Sequence, residues 1–274
     1  MPDLPQGSLK YLLLITVPIV GGIVYHIAVA LDLRKAGGRV ETRHFGVPDL
    51  LFGSVVAAFF TWGGLDSLLK RAAPAADAKE DHLLEGALFM VLVVVATLGF
   101  ARLREIPVRA FGWVTESFSK MFLRAASSLG MALPIVWAAN VATQYIAPQG
   151  SQEQDIVTMF RRAAGDGDLG AVRITCLSAL LVAPLVEETV FRGYLYPIAK
   201  AYMGALAAAM LTSTMFAVSH GNWAVLPGLF VLALAFTIAF ERFGSLWVCV
   251  AMHAAFNAVS LILIYLQSQG WIPP

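Results

Sequence analysis

What most constrains this chain is a series of apolar blocks, each about as long as a lipid bilayer is thick. A helix rises about 1.5 Å per residue, so about 20 apolar residues cross a hydrocarbon core of about 30 Å. Such stretches recur at about eight places: residues 10–32, 48–69, 82–101, 121–147, 172–198, 203–221, 224–241 and 245–267. The composition agrees, with 58% hydrophobic and 14% charged residues and a mean hydropathy of +0.73. A soluble domain carries about 25% charged residues. The short alternating segments of a membrane barrel are not seen. The expected fold is an all-α, polytopic membrane helical bundle of about eight transmembrane helices.

The connections add detail. Asp66 and the pair Gly63-Gly64 interrupt the second block, and small residues there let helices approach closely. The loop 33–47 is basic, with Arg34, Lys35, Arg39 and Arg43, and 70–81 is an Ala-rich charged linker. Residues 102–120 interleave Arg102, Arg104, Arg109 and Lys120 with Phe111, Trp113 and Phe118. That mixture suits a helix lying in the membrane interface, or a solvated loop. Segment 148–171 reads as a polar loop. Its Gly165-Asp-Gly167-Asp-Leu-Gly170 is a literal GxGxxG, but a dinucleotide site needs a strand before it and none is read there.

Lys10 precedes an apolar run without a clear cleavage site, so the first block reads as an uncleaved span. The final Trp271-Ile272-Pro273-Pro274 is no lipidation motif. Cys176 and Cys249 lack CxxC spacing and read as small buried hydrophobes. A net charge of +1 gives no footing for a nucleic-acid partner. HExxH and GxSxG are absent, as is the internal repeat that marks many transporters. Loops 33–47, 102–120, 199–202 and 242–244 are expected on one face. Their Lys and Arg content places that face in the cytoplasm by the positive-inside rule.

Against this apolar background, three polar clusters stand out. Glu187, Glu188 and Arg192 sit inside the block 172–198, where each charge costs about 2.5–3.5 kcal/mol at mid-bilayer. Intramembrane ionisable residues mark functional sites by default. Glu188 and Arg192 are four residues apart, on one helix face, and can pair. Glu187 is turned about 100° away and is left without a local cation, free to act as a general base. In the second cluster, Phe216 and His220 are one turn apart, so the ring can pack on the imidazole and orient it. In the third, His253 and Asn257 share a face of the last block, and both can donate to one point, as an oxyanion requires, or hydrogen-bond across to neighbouring helices and hold them together. A base, two histidines and an amide on three spans suit water attack on a carbonyl. Zinc held by Glu187, His220 and His253 is an equally open reading of the same residues. A transporter or proton relay using the carboxylates, and a non-catalytic immunity-type membrane protein, are the other classes in play.

These motifs resemble the CPBP family of intramembrane proteases, also called the CAAX protease or Abi family, which includes the Rce1-type prenyl-protein endopeptidases. The family pattern is EExxxR, FxxxH and HxxxN or HxxxD. Here it stands as Glu187-Glu188-Thr-Val-Phe-Arg192, Phe216-Ala-Val-Ser-His220 and His253-Ala-Ala-Phe-Asn257, with Ser245-Leu246-Trp247 as the lead-in to the third. The resemblance covers about residues 172–260. It implies that Glu187 activates water, His220 holds it, and His253 and Asn257 form the oxyanion hole. Glu188, Arg192 and Phe216 support the site. It further implies a core at 172–274, behind N-terminal transmembrane helices and loops at 1–171, in one integrated domain with the site in the last four helices. The implied substrate is a membrane-associated protein or peptide, prenylated for the Rce1 type. The implied setting is the cell (inner) membrane, with the site opening toward the cytoplasm. No cofactor is required by the glutamate mechanism. One tension remains. His220 falls at the end of its span, so that helix must be short, tilted or followed by a re-entrant turn, for which His220-Gly221-Asn222-Trp223 is suited.

Overall fold

The computed structural model describes residues 8–70, 80–146 and 155–272. The expected linker 70–81 therefore lies largely outside the described residues. The helices are α1 (Ser8–Ala36), α2 (Val47–Lys70), α3 (Glu80–Leu103), α4 (Phe118–Ile146), α5 (Asp155–Asp166), α6 (Leu169–Met203), α7 (Ala205–Ser219), α8 (Leu226–Phe243) and α9 (Leu246–Ser268). Among the described residues there is no strand. All eight expected segments are helical, but six helices are long and apolar enough to cross a membrane: α1, α2, α4, α6, α8 and α9. The apolar stretches of α3 and α7, Leu88–Leu103 and Ala205–Ser219, are shorter. The outward faces carry exposed Leu14, Val24, Val55, Trp62, Leu92 and Ile262. Such a shell is at home in lipid, not in water.

The helix at the centre is α8, which packs against α1, α4, α7 and α9. Its neighbour α6 is one continuous helix that widens into π-helical turns at Ser178–Val182 and Thr189–Leu195. Each π-turn ends beside a proline, Pro184 and Pro197. Proline lacks an N–H, and its ring crowds the carbonyl four residues back. The turn widens to accommodate it. Ala183 N–H bonds Ser178 O, and Tyr196 N–H bonds Phe191 O, each five residues back. The paired glutamates lie between these two openings.

One end of the bundle gathers the basic loops. Arg39 N–H donates to Glu241 O at 2.8 Å. Buried Glu241 Oε1 accepts from Tyr196 Oη and Lys200 Nζ, both at 2.5 Å, and Lys200 also reaches Val40 O at 2.9 Å. Leu246 N–H donates to Gly112 O, and Ser245 Oγ donates to Glu116 Oε1. The four loops expected on one face therefore do share it.

Two expectations are corrected here. Residues 102–120 are not an interfacial helix. After α3 the chain makes a 3₁₀ turn at Val108–Phe111, started by Pro107 and ended by Gly112 at φ +83°. Phe111 is buried and stacks on Tyr194, with ring centroids 5.8 Å apart. Phe111 and Trp113 are turned into the protein, whereas Phe118, at the start of α4, is exposed. Segment 148–171 is not only loop either, since α5 occupies most of its described part. Its GxGxxG is the junction of two helices, where the Asp168 carboxylate caps α6 by accepting from Gly170 and Ala171 N–H at 2.9 and 3.1 Å.

At the opposite end, α2 braces the turn after α7. A Cβ at Gly64 would run into Val218 O and the Ser219 backbone, whereas one at Gly63 meets nothing within 4 Å. Trp223 Nε1 donates to Leu68 O at 3.0 Å. Gly63→Ala is therefore expected to be neutral or to stabilise by up to about 1 kcal/mol through helix propensity. Gly64→Val is expected to lower the melting temperature in detergent; equal melting of the two variants would refute this packing. The fold also separates Arg39 from Trp223 by the length of α7, about 22 Å for its 15 residues. Single cysteines at 39 and 223, in a background lacking Cys176 and Cys249, are expected to react with an impermeant thiol reagent from opposite sides of the membrane. Labelling of both from one side would contradict this arrangement.

Candidate active site

The site grows from α6. Glu188 is fully buried and Arg192 is 2% exposed, so neither charge is stabilised by bulk water. They stabilise each other instead. Arg192 Nη1 donates to Glu188 Oε1 at 3.0 Å, as the i, i+4 spacing expects, and Nη2 donates to Ala233 O on α8 at 3.0 Å. The guanidinium lies over the rings of Phe216, at 4.5 Å, and Phe236, at 5.1 Å. Cation–π contact is strongest where water is excluded. The desolvation of each ion, several kcal/mol, is thus offset by an opposite charge, a carbonyl and two aromatic faces.

Glu188 Oε1 also accepts from His253 Nδ1 at 2.9 Å. That bond fixes the His253 proton on Nδ1, because a carboxylate only accepts. The same reasoning applies to His220, the residue that closes α7. Its Nδ1 lies 2.7 Å from Phe216 O, and a carbonyl accepts, so Nδ1 carries the proton and Nε2 presents a lone pair. Phe216 ties the two histidines together. Its ring centroid is 4.8 Å from that of His220 and 5.8 Å from that of His253. Glu188, Arg192, Phe216, His220 and His253 therefore form one connected cluster from α6, α7 and α9, with α8 closing it through Ala233 and Phe236. The turn expected after His220 is present, with Gly221 at φ +62°, and α7 is short. These features let a histidine at a helix end join residues from helix interiors.

The two glutamates are treated differently. Glu187 is half-buried, and its Oε2 is buried without a hydrogen-bond partner among the described residues. Glu188 Oε2 and Ser213 Oγ are likewise buried and unpartnered. Ser213 sits on the α7 face that carries Phe216 and His220. Buried polar oxygens of this kind are satisfied by ordered water. Asn257 reaches a different partner from the one its motif suggests: Nδ2 donates to Ala179 O on α6 at 2.7 Å. One amide N–H and the amide oxygen remain for other contacts.

For a metal, Glu187, His220 and His253 are the donors the sequence offers. Among the described residues, no group of three or more His, Cys, Asp and Glu side chains is arranged to hold one. Sequence reading also missed several members. Phe236 and the Ala233 carbonyl carry no ionisable signature and emerge only from packing. Pro184 and Pro197 were missed as well, although a proline inside an apolar run is a readable sign of an opened helix.

Among known proteins, residues 170–259 match the family described as type II CAAX prenyl endopeptidase Rce1-like. No curated protein and no solved structure matches the chain. The matched stretch holds all three motifs, from the start of α6 into α9. The chain thus carries, at residues 170–259, an Rce1-like domain of the CPBP family of CAAX prenyl endopeptidases.

Proposed function

We propose that the protein hydrolyses a peptide bond in a membrane-associated, prenylated CAAX-type protein or peptide, using a water activated by Glu187 and His220. The observation that carries this reading is the unequal state of the paired glutamates. Glu188 is committed to Arg192 and His253, while Glu187 Oε2 is buried with no partner among the described residues. A carboxylate in that state binds water and takes its proton. His220 Nε2, with Nδ1 held by Phe216 O, is an acceptor for the same water's other hydrogen. As the hydroxide oxygen bonds the scissile carbonyl carbon, negative charge moves to the carbonyl oxygen. His253 is the donor to it: with Nδ1–H on Glu188, an imidazolium there has Nε2–H to give, and the Glu188 carboxylate is its counter-ion. The free amide N–H of Asn257 is the second donor. Collapse breaks the C–N bond, and the proton on Glu187 passes to the leaving amine, so the enzyme ends as it began.

Sidedness enters as a choice between two expectations. The basic loops and His220 lie at opposite ends of α7, so a cytoplasmic entrance at the His220 end and cytoplasmic basic loops exclude one another. The positive-inside rule favours the basic loops, and the thiol labelling above decides.

Glu187→Gln keeps shape and volume and removes the base. Cleavage of a farnesylated CAAX peptide by the purified protein is expected to fall by about 10²–10⁴-fold, with melting temperature and membrane insertion unchanged. Wild-type rates in that variant would remove Glu187 from the reaction. Because the donors of a three-ligand metal site are not grouped among the described residues, cleavage is expected to survive chelation in a protein free of stoichiometric zinc. Loss on chelation with recovery on adding zinc would establish a metal-dependent reaction instead.

A further inference from the structure

We propose that Asn257 is a positioning residue: its amide replaces the backbone donor that Pro184 removes from α6, and so sets the helix carrying His253 against the helix carrying Glu187 and Glu188. Only the activity part of the test rests on the hydrolytic reading above.

The Ala179 carbonyl is the key group. In an α-helix its donor would be Ala183 N–H, but that group bonds Ser178 O in the π-turn. In a π-turn its donor would be residue 184, which is proline and has no N–H. Ala179 is buried, and a buried carbonyl without a donor is strongly disfavoured, most of all in a membrane. Asn257 Nδ2 supplies the donor at 2.7 Å from another helix.

One turn earlier on α9, His253 Nδ1 bonds Glu188 Oε1. These two bonds join the same two helices at two points, on either side of the Glu187 position. A single contact would let α9 slide or rotate against α6; two contacts fix both motions. Asn257 suits the position because an amide donates while keeping no charge in lipid. A residue that served only as an oxyanion donor would have no reason to depend on Pro184. A positioning residue must depend on it, since an N–H restored at 184 meets the same carbonyl from within α6.

The test is a double-mutant cycle in the full-length protein in detergent: wild type, Asn257→Ala, Pro184→Ala and the double variant. Each is read by melting temperature and by kcat and KM on a farnesylated CAAX peptide. Pro184→Ala alone is expected to fold and cleave like wild type. Asn257→Ala is expected to melt lower and to lose about tenfold or more in kcat, with KM little changed. The double variant is expected to recover most of the melting loss and only the share of kcat that positioning carries, since the donor that Asn257 itself gives the oxyanion stays lost. A double variant that melts no higher than Asn257→Ala overturns the proposal, as does one whose kcat is no higher than that of Asn257→Ala. If Pro184→Ala does not fold, Pro184→Gly supplies the same N–H with less helix propensity. A wild-type protein that cleaves no peptide removes the hydrolytic reading, and the melting cycle alone then decides on Asn257.

Discussion

Everything around the site depends on keeping one ion pair neutral in a place shut off from bulk water. Glu188 and Arg192 are held together on α6, but what makes them tolerable is shared among four helices. Arg192 reaches the α8 backbone at Ala233 and the rings of Phe216 on α7 and Phe236 on α8. Glu188 reaches α9 through His253. The pair is therefore the bolt through the three helices that hold the motifs and through α8, which closes the cluster. A buried pair is no large source of stability compared with apolar packing, but removing one partner strands a charge at a cost of about 3–5 kcal/mol. The geometry that neutralises the pair also places the histidine.

The same logic explains why two adjacent carboxylates serve better than one. On a helix, neighbours point about 100° apart, so they meet different surroundings without any change in depth. Glu188 faces a cation, an imidazole and aromatic rings. Glu187 keeps a buried oxygen with no partner among the described residues. One carboxylate is consumed by architecture, which leaves the other available for chemistry. The two histidines divide in a parallel way. His220 is oriented by a backbone carbonyl, which is neutral, and suits holding a water. His253 is oriented by a carboxylate, which can balance an imidazolium, and suits an oxyanion.

Much of this was legible from residue spacing alone. The i, i+4 pairs Glu188–Arg192 and Phe216–His220 form as helical periodicity requires, and the turn after His220 was forecast by Gly221 and by the short span before it. The shared face of the basic loops followed from counting spans by alternation. What was not legible depended on partners distant in sequence. Phe111 and Trp113 read as interfacial because aromatics among arginines often are, yet Gly112 turns the chain and Tyr194 and Trp247 receive the rings. Helix α5 was hidden by its charge. The expected eight spans exceed the six long apolar helices because α3 and α7 are apolar over less than a full crossing, whereas α2, interrupted in sequence by Asp66 and Gly63-Gly64, is long enough. For Asn257 an oxyanion donor and an interhelical hydrogen bond were both open from sequence, but nothing local reveals that a carbonyl far away on α6 lacks its donor.

That last point links the breaks in α6 to the presence of a site. A straight, fully bonded helix through lipid presents side chains only, and its carbonyls are closed to any other group. A proline opens it, and the opened carbonyl must then be met by protein or by water, since lipid offers neither donor nor acceptor. At Ala179 the protein meets it, through Asn257. Beside it, oxygens of Glu187, Glu188 and Ser213 are buried without a partner among the described residues, the kind of group that ordered water satisfies. A helix opened by proline beside two carboxylates thus calls at that depth for polar partners, which protein or water must supply. Hydrolysis needs the second of these in a membrane protein, namely water where the bilayer would otherwise exclude it.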